Sequence, residues 1–121
     1  VMANHNWNAI AQRIAAEVMG WALRSDGEGE SYTTFWWDGN SRCYVNNYKP
    51  YEYISQAINA LEALGFGYTI HKTVDGFECF IYQDFTDTTG FKRHDGFDLI
   101  ELPKAICLAI IAYLDGRGDG V

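Results

Sequence analysis

Leu102-Pro103-Lys104-Ala105-Ile106-Cys107-Leu108-Ala109-Ile110-Ile111-Ala112-Tyr113-Leu114 stands near the end of a 121-residue chain and constrains everything before it. Pro103 suits a first helical position, where its missing N–H forfeits no hydrogen bond. Behind it, Ile106, Leu108, Ala109, Ile110, Ile111, Ala112 and Leu114 leave almost no polar face. A bilayer needs about 20 apolar residues in a row, so this run is too short to span one. It predicts a helix covered nearly all round by protein, either as a central buried helix or as part of a subunit contact.

Working back from it, Trp7, Ile10, Ala11, Ile14, Ala15, Val18 and Met19 recur at three- and four-residue spacing and predict a first amphipathic helix. Asn6 or Asn8 can cap its start, and Gly20 stops it. Pro50 is read as opening a second helix, with Ile54, Ala57, Ile58, Leu61 and Leu64 on one stripe and Gly65 as its stop. Asp38-Gly39-Asn40 separates Tyr32–Trp37 from Arg42–Val45, a hairpin signal. Phe66, Tyr68 and Ile70 alternate with small or polar residues, and Asp75-Gly76 turns that strand back into Phe77–Tyr82. Residues 25–31 and 83–101 read as polar loops, the second carrying Asp84, Asp87, Lys92, Arg93, His94, Asp95 and Asp98, and residues 117–121 as a fraying end. The expectation is one α+β domain over residues 1–121, in the order αββαββα. Its two hairpins would form an antiparallel sheet of about four strands, packed with three helices.

Composition narrows the function. A formal charge of −7 argues against a general DNA or RNA binder, whose affinity comes from clustered Lys and Arg. Cys43, Cys79 and Cys107 are an odd number without CxxC spacing and read as reduced thiols of a cytosolic protein. No signal peptide or membrane run is read. Four Trp, eight Tyr and seven Phe are more than a core of this size usually needs, and many cluster between Tyr32 and Tyr53. Such side chains serve flat ligands and interfaces, or a Tyr-rich sheet under helices.

With Val18-Met19-Gly20-Trp21 ending the first helix and Leu102-Pro103-Lys104-Ala105-Ile106 opening the third, the layout resembles the phage ABA-sandwich family. These are small proteins of phages and prophages, with relatives similar to the lambdoid phage NinX proteins. The middle helix and its Gly65-Phe66-Gly67-Tyr68 step fit as well, so the resemblance covers residues 9 to 115. The 83–101 stretch departs from it, being longer than the family's usual hairpin-to-helix link. Phage proteins of this size and style include sponges that sequester nucleotide immune signals. The analogy implies a non-enzymatic counter-defence protein of the anti-CBASS or anti-Thoeris kind, which binds a cyclic dinucleotide or a cyclic ADP-ribose isomer without cleaving it. It implies a homo-oligomer with pockets between subunits, acting in the cytoplasm of an infected bacterium, with no cofactor, metal, nucleic-acid polymer or membrane.

Such a ligand calls for planar side chains, one or two cations, and amides or hydroxyls for base and ribose edges. Trp36-Trp37-x4-Arg42-x-Tyr44-x-Asn46-Asn47-Tyr48-Lys49 supplies all of these within fourteen residues, and Tyr51 follows. Strand alternation would put Arg42, Tyr44 and Asn46 on one face. The aromatics from Trp36 to Tyr51 are expected to stack bases, while Arg42, Lys49, Lys72 and Arg93 take phosphates and His71 is a further ligand-binding residue. The competing reading makes one Trp a core residue and Arg42 a solvated hairpin charge. Lys92-Arg93-His94 is the only run of three adjacent basic residues, with Thr86, Thr88 and Thr89 as hydroxyl donors.

His71-Lys72-Thr73 is half of the paired HxTx signature of 2H phosphodiesterases, which makes a small cyclic-nucleotide phosphodiesterase one alternative. The second copy is missing, because His94-Asp95-Gly96 lacks the Thr or Ser. Neither GxSxG, a P-loop, GxGxxG nor EF-hand spacing occurs. The other alternative is a protein-interaction module acting on a host protein through an acidic surface and exposed aromatics.

Overall fold

The computed structural model describes residues 5–27, 33–84 and 91–116. The elements run α1 (Trp7–Arg13), β1 (Ala22–Asp26), β2 (Thr33–Trp37), β3 (Arg42–Tyr44), α2 (Ile54–Leu64), β4 (Gly67–Lys72), β5 (Phe77–Asp84), β6 (Phe91–Asp98) and α3 (Leu102–Gly116). Among the described residues the strands form two antiparallel three-stranded sheets, β1-β2-β3 and β4-β5-β6. The α+β class stands, but one sheet of about four strands is corrected to two sheets of three, in the order αβββαβββα. The chain divides into two compact units, residues 1–49 and 50–121, each with one sheet.

Both extra strands have a physical reason for escaping the hydrophobic pattern. All five residues of β1 are exposed, so no apolar alternation marks it. In β6 the inward positions are His94 and Gly96, so its core face is not hydrophobic at all. The presumed 83–101 loop is therefore corrected: it holds the end of β5, all of β6 and the approach to α3. Thr86, Asp87, Thr88 and Thr89 lie outside the described residues, as do residues 28–32 and residues 117–121, on which the expectation of fraying falls.

In the first unit, the Asn6 carboxamide accepts the Ala9 N–H at 3.1 Å and caps α1. The α-helix ends at Arg13, earlier than the apolar spacing suggests, and Ile14–Val18 continues as a π-helical turn. Met19 N–H donates to the Ile14 carbonyl across that turn at 3.0 Å. Gly20, at φ 71°, then takes the left-handed conformation that releases the chain into β1. The predicted hairpin is present as β2 and β3, and Asp38 holds its loop, accepting the N–H groups of Asn40 and Ser41 at 2.7 and 2.6 Å. These bonds hold its carboxyl below the usual carboxylate range. Val45–Asn47 forms a 3-10 turn, so strand alternation does not reach Asn46.

In the second unit, α2 starts at Ile54, four residues after Pro50, and stops at Gly65 in the left-handed conformation at φ 76°. Residues of α3 lie against β5 and β6, and α2 packs on α3. The approach is close because Gly96 has no side chain. A Cβ there would fall on the Ala105 carbonyl oxygen and the Ala109 backbone nitrogen. Pro103 is the second residue of α3, still within the turn whose N–H groups lack helical acceptors. No residue from Leu102 to Leu114 is exposed, as the composition of that run demands. No helix among the described residues is long and apolar enough to cross a membrane.

Candidate functional site

Helical spacing sets one wall of a cavity in the first unit. Asn8, Ala11 and Gln12 stand at i, i+3 and i+4 on α1 and share one of its faces. Opposite them, Trp36 comes from β2, Val45 and Asn46 from the 3-10 turn, and Tyr48 and Lys49 from the segment that follows. Together they enclose about 120 Å³. Ala11, Trp36 and Tyr48 are 4 to 5% exposed and make an apolar floor, while the carboxamides of Asn8, Gln12 and Asn46 stand exposed at the rim. Tyr48 is fixed from behind by Trp21, whose ring meets it edge-on at 4.9 Å. Ala11 matters by its size, since a longer side chain there would fill the space.

The same turn borders a second, more open depression of about 550 Å³. It is lined by Thr33, Thr34, Tyr44, Val45, Asn46 and Asn47. Val45 and Asn46 are common to both, so the turn is a low wall between a one-ring cavity and a wider polar shelf. Neither lining contains Asp, Glu, His or Cys. What the arrangement offers is a flat apolar surface, carboxamides and hydroxyls in several directions, and one ammonium group. These are the parts of a binding site for a planar polar ligand.

The residues expected from the sequence separate. Trp36, Asn46, Tyr48 and Lys49 line the cavity, and Tyr44 lines the shelf with Asn46. Trp37 and Arg42 are cross-strand partners on the opposite face from Trp36. There the Arg42 guanidinium pairs with Asp26 at 2.9 Å and lies 4.4 Å from the Phe35 ring centroid. Arg24 stands over Trp37 at 5.8 Å in the same manner. Asn8 and Gln12 were not anticipated. The available signal was a pair of amides at i, i+4 flanking Ala11 on an otherwise apolar stripe.

Tyr51, His71, Lys72 and Arg93 belong to the second unit. Tyr51 sits in the turn before α2. On the β4-β5-β6 sheet, His71 and Arg93 flank Phe80, at 5.4 Å between rings and 4.6 Å from guanidinium to ring, and Arg93 also pairs with Asp95 at 2.8 Å. Lys72 instead rests 5.1 Å from the Phe77 ring. His94 faces the other way from His71, because its partner is inward Ile81 whereas His71 pairs with Glu78. It is 4% exposed, shares a 2.9 Å hydrogen bond with the Gln83 carboxamide and meets Tyr113 edge-on. Lys92-Arg93-His94 is thus part of a strand with its inner member buried.

Burial makes two of the three thiols inert. Desolvation pushes Cys79 and Cys107 up to about 12, with Cys79 raising Cys107 further, and it raises half-buried Cys43 more mildly. Among the described residues, no group of three His, Cys, Asp or Glu side chains could hold a metal ion.

A family model described as the phage ABA sandwich domain matches residues 12–111. Among solved structures, a phage protein from Bacillus cereus is 18% identical, with a TM-score of 0.62 over 95% of this chain and 93% of that one. At that identity the likeness shows a shared fold. No curated protein matches the chain.

Proposed function

The chain belongs to the phage ABA sandwich domain family, and from that premise we propose that it is a counter-defence sponge, which binds and sequesters a cyclic nucleotide immune signal without cleaving it. The observation that carries this reading is the first-unit cavity, with its floor of Trp36, Tyr48 and Ala11 and its rim of Asn8, Gln12, Asn46 and Lys49. Its volume of about 120 Å³ takes one ring of a base, and the rest of a cyclic dinucleotide or cyclic ADP-ribose isomer would extend over the Val45–Asn47 turn onto the wider shelf. The linings offer contacts on several sides and no carboxylate, imidazole or thiol to attack or protonate a phosphodiester. The proposal includes a homo-oligomer in the cytoplasm of the infected host.

A second reading, an interaction module acting on a host protein, is favoured by a different observation. Phe97, Leu99 and Ile100 are 43, 56 and 79% exposed at one end of the β4-β5-β6 sheet. Fully exposed Val74 stands in the turn that abuts them, since Gly76 of that turn lies against Asp98 and Leu99. An apolar patch of this kind suits a protein partner.

The test is a melting series with a panel of cyclic dinucleotides and cyclic ADP-ribose isomers, followed by heating to release what was bound. A sponge is expected to gain about 2.7 kcal/mol of apparent stability at a hundred times Kd and to release its ligand intact. Cleaved product would replace the sponge with a phosphodiesterase. A panel without any shift would give the place to the interaction module.

A further inference from the structure

Resting on the nucleotide-binding reading above, we propose that the first-unit cavity is selective for adenine. Its size sets the first limit. Pockets that enclose a whole drug-sized ligand run to about 300–1,000 Å³, whereas a cavity near 150 Å³ holds a benzene ring. At about 120 Å³, this one takes the six-membered ring of a planar base, entering edge-first between α1 and the Val45–Asn47 turn, and it leaves the second ring, the sugar and the phosphate outside.

The rim sets the second limit. A carboxamide presents an N–H donor beside a C=O acceptor. Adenine presents the complement, its N6 amino donor beside the N1 or N7 acceptor, so Asn and Gln pair with it through two hydrogen bonds. Three carboxamides, those of Asn8, Gln12 and Asn46, border the cavity. Guanine can meet a carboxamide through O6 and N1–H, but its adjacent N1–H and N2–H donors are matched together only by a carboxylate, and no Asp or Glu lines either concavity. Pyrimidines can meet an amide as adenine does, but they carry the sugar on the very ring that enters, whereas adenine carries it on the second ring, outside the cavity. Lys49 is the one cation of the lining and would pair with the phosphate of a nucleotide whose base is seated there.

The experiment titrates AMP, GMP, CMP and UMP into the full chain by calorimetry, alongside the cyclic-nucleotide panel. AMP is expected to bind at least tenfold more tightly than the other three. Asn46→Asp and Gln12→Glu replace an amide by a carboxylate of equal size at exposed positions, so the fold should keep its melting temperature. At least one of them should lower AMP affinity about tenfold and raise that of GMP. Equal binding of all four nucleotides, a preference for GMP, or an AMP-to-GMP ratio unmoved by both substitutions would overturn the adenine assignment. If that happens while cyclic nucleotides still bind, the sequestering function survives without it. If nothing in either set binds, both readings fall together.

Discussion

Gly96 shows how much of this fold hangs on the absence of one methyl group. Its backbone carries the Ala105 and Ala109 turn of α3 at a separation that no Cβ fits. Gly96→Ala therefore forces helix and strand apart, and overpacking of that kind costs about 1–3 kcal/mol or more. Gly67, on β4, is the internal control, because a Cβ there meets nothing within 4 Å and its φ is not positive. Gly67→Ala is expected to be neutral or to stabilise by about 0.4–1 kcal/mol through the unfolded chain. Urea unfolding of the two variants checks the contrast, and equal midpoints would contradict the packing described. At the same scale, the alternation of Trp36 and Trp37 explains why sequence proximity misleads about Arg42. One residue's shift sends a side chain to the other face of β2, so Arg42 joins Trp37 and Phe35 while the cavity forms beneath Trp36.

Elements were legible in the sequence where burial follows a simple period. The stripe of α2 and the continuous apolar run of α3 announce themselves, and so do both turns, Asp38-Gly39-Asn40 and Asp75-Gly76. Exposed β1 and polar-cored β6 carry no such period, and a π turn in place of a straight helix end leaves no compositional mark. About half of the cavity was legible for the same reason. Trp36, Asn46, Tyr48 and Lys49 stood out as a dense run of ligand-binding residue types, while Asn8 and Gln12 lay hidden in a helix read only for its apolar stripe. The thiols of β5 and α3 test the element packing. With Cys79 and Cys107 fully buried and pushed up to about 12, their thiolate is nearly absent at pH 8, where an ordinary thiol at 9.0 is about a tenth ionised. A thiol reagent should modify Cys43 in the native protein and the other two only on unfolding. The linked stability has a definite sign. Both values are raised in the folded state, so this contribution is complete below pH 9 and is lost as pH climbs from about 9 toward 12. Native modification of three thiols at equal rates would contradict the placement of α3 on β5.

At the scale of the whole molecule, charge separates a small-ligand binder from a polymer binder. Sixteen acidic residues against nine basic ones give a net −7 and a pI near 4.7, so the long-range field repels any polyanion. On the proposed function an anionic ligand must be held by local contacts, and the first-unit cavity offers one ammonium, three carboxamides and an aromatic floor. Salt screens the attraction to Lys49 and the repulsion from the acidic surface together, and the two changes partly cancel. Polymer binders that neutralise 6–10 phosphates lose about 10³–10⁵ in affinity between about 50 and 200 mM salt. One or two local charges predict a loss of at most about tenfold over that range. Calorimetric titration of whichever cyclic nucleotide raises the melting temperature, repeated across that salt range, checks this directly. A thousandfold loss, or measurable binding of duplex DNA at about 50 mM salt, would mean that the anion site lies on a cationic surface and not in the cavity beneath Trp36.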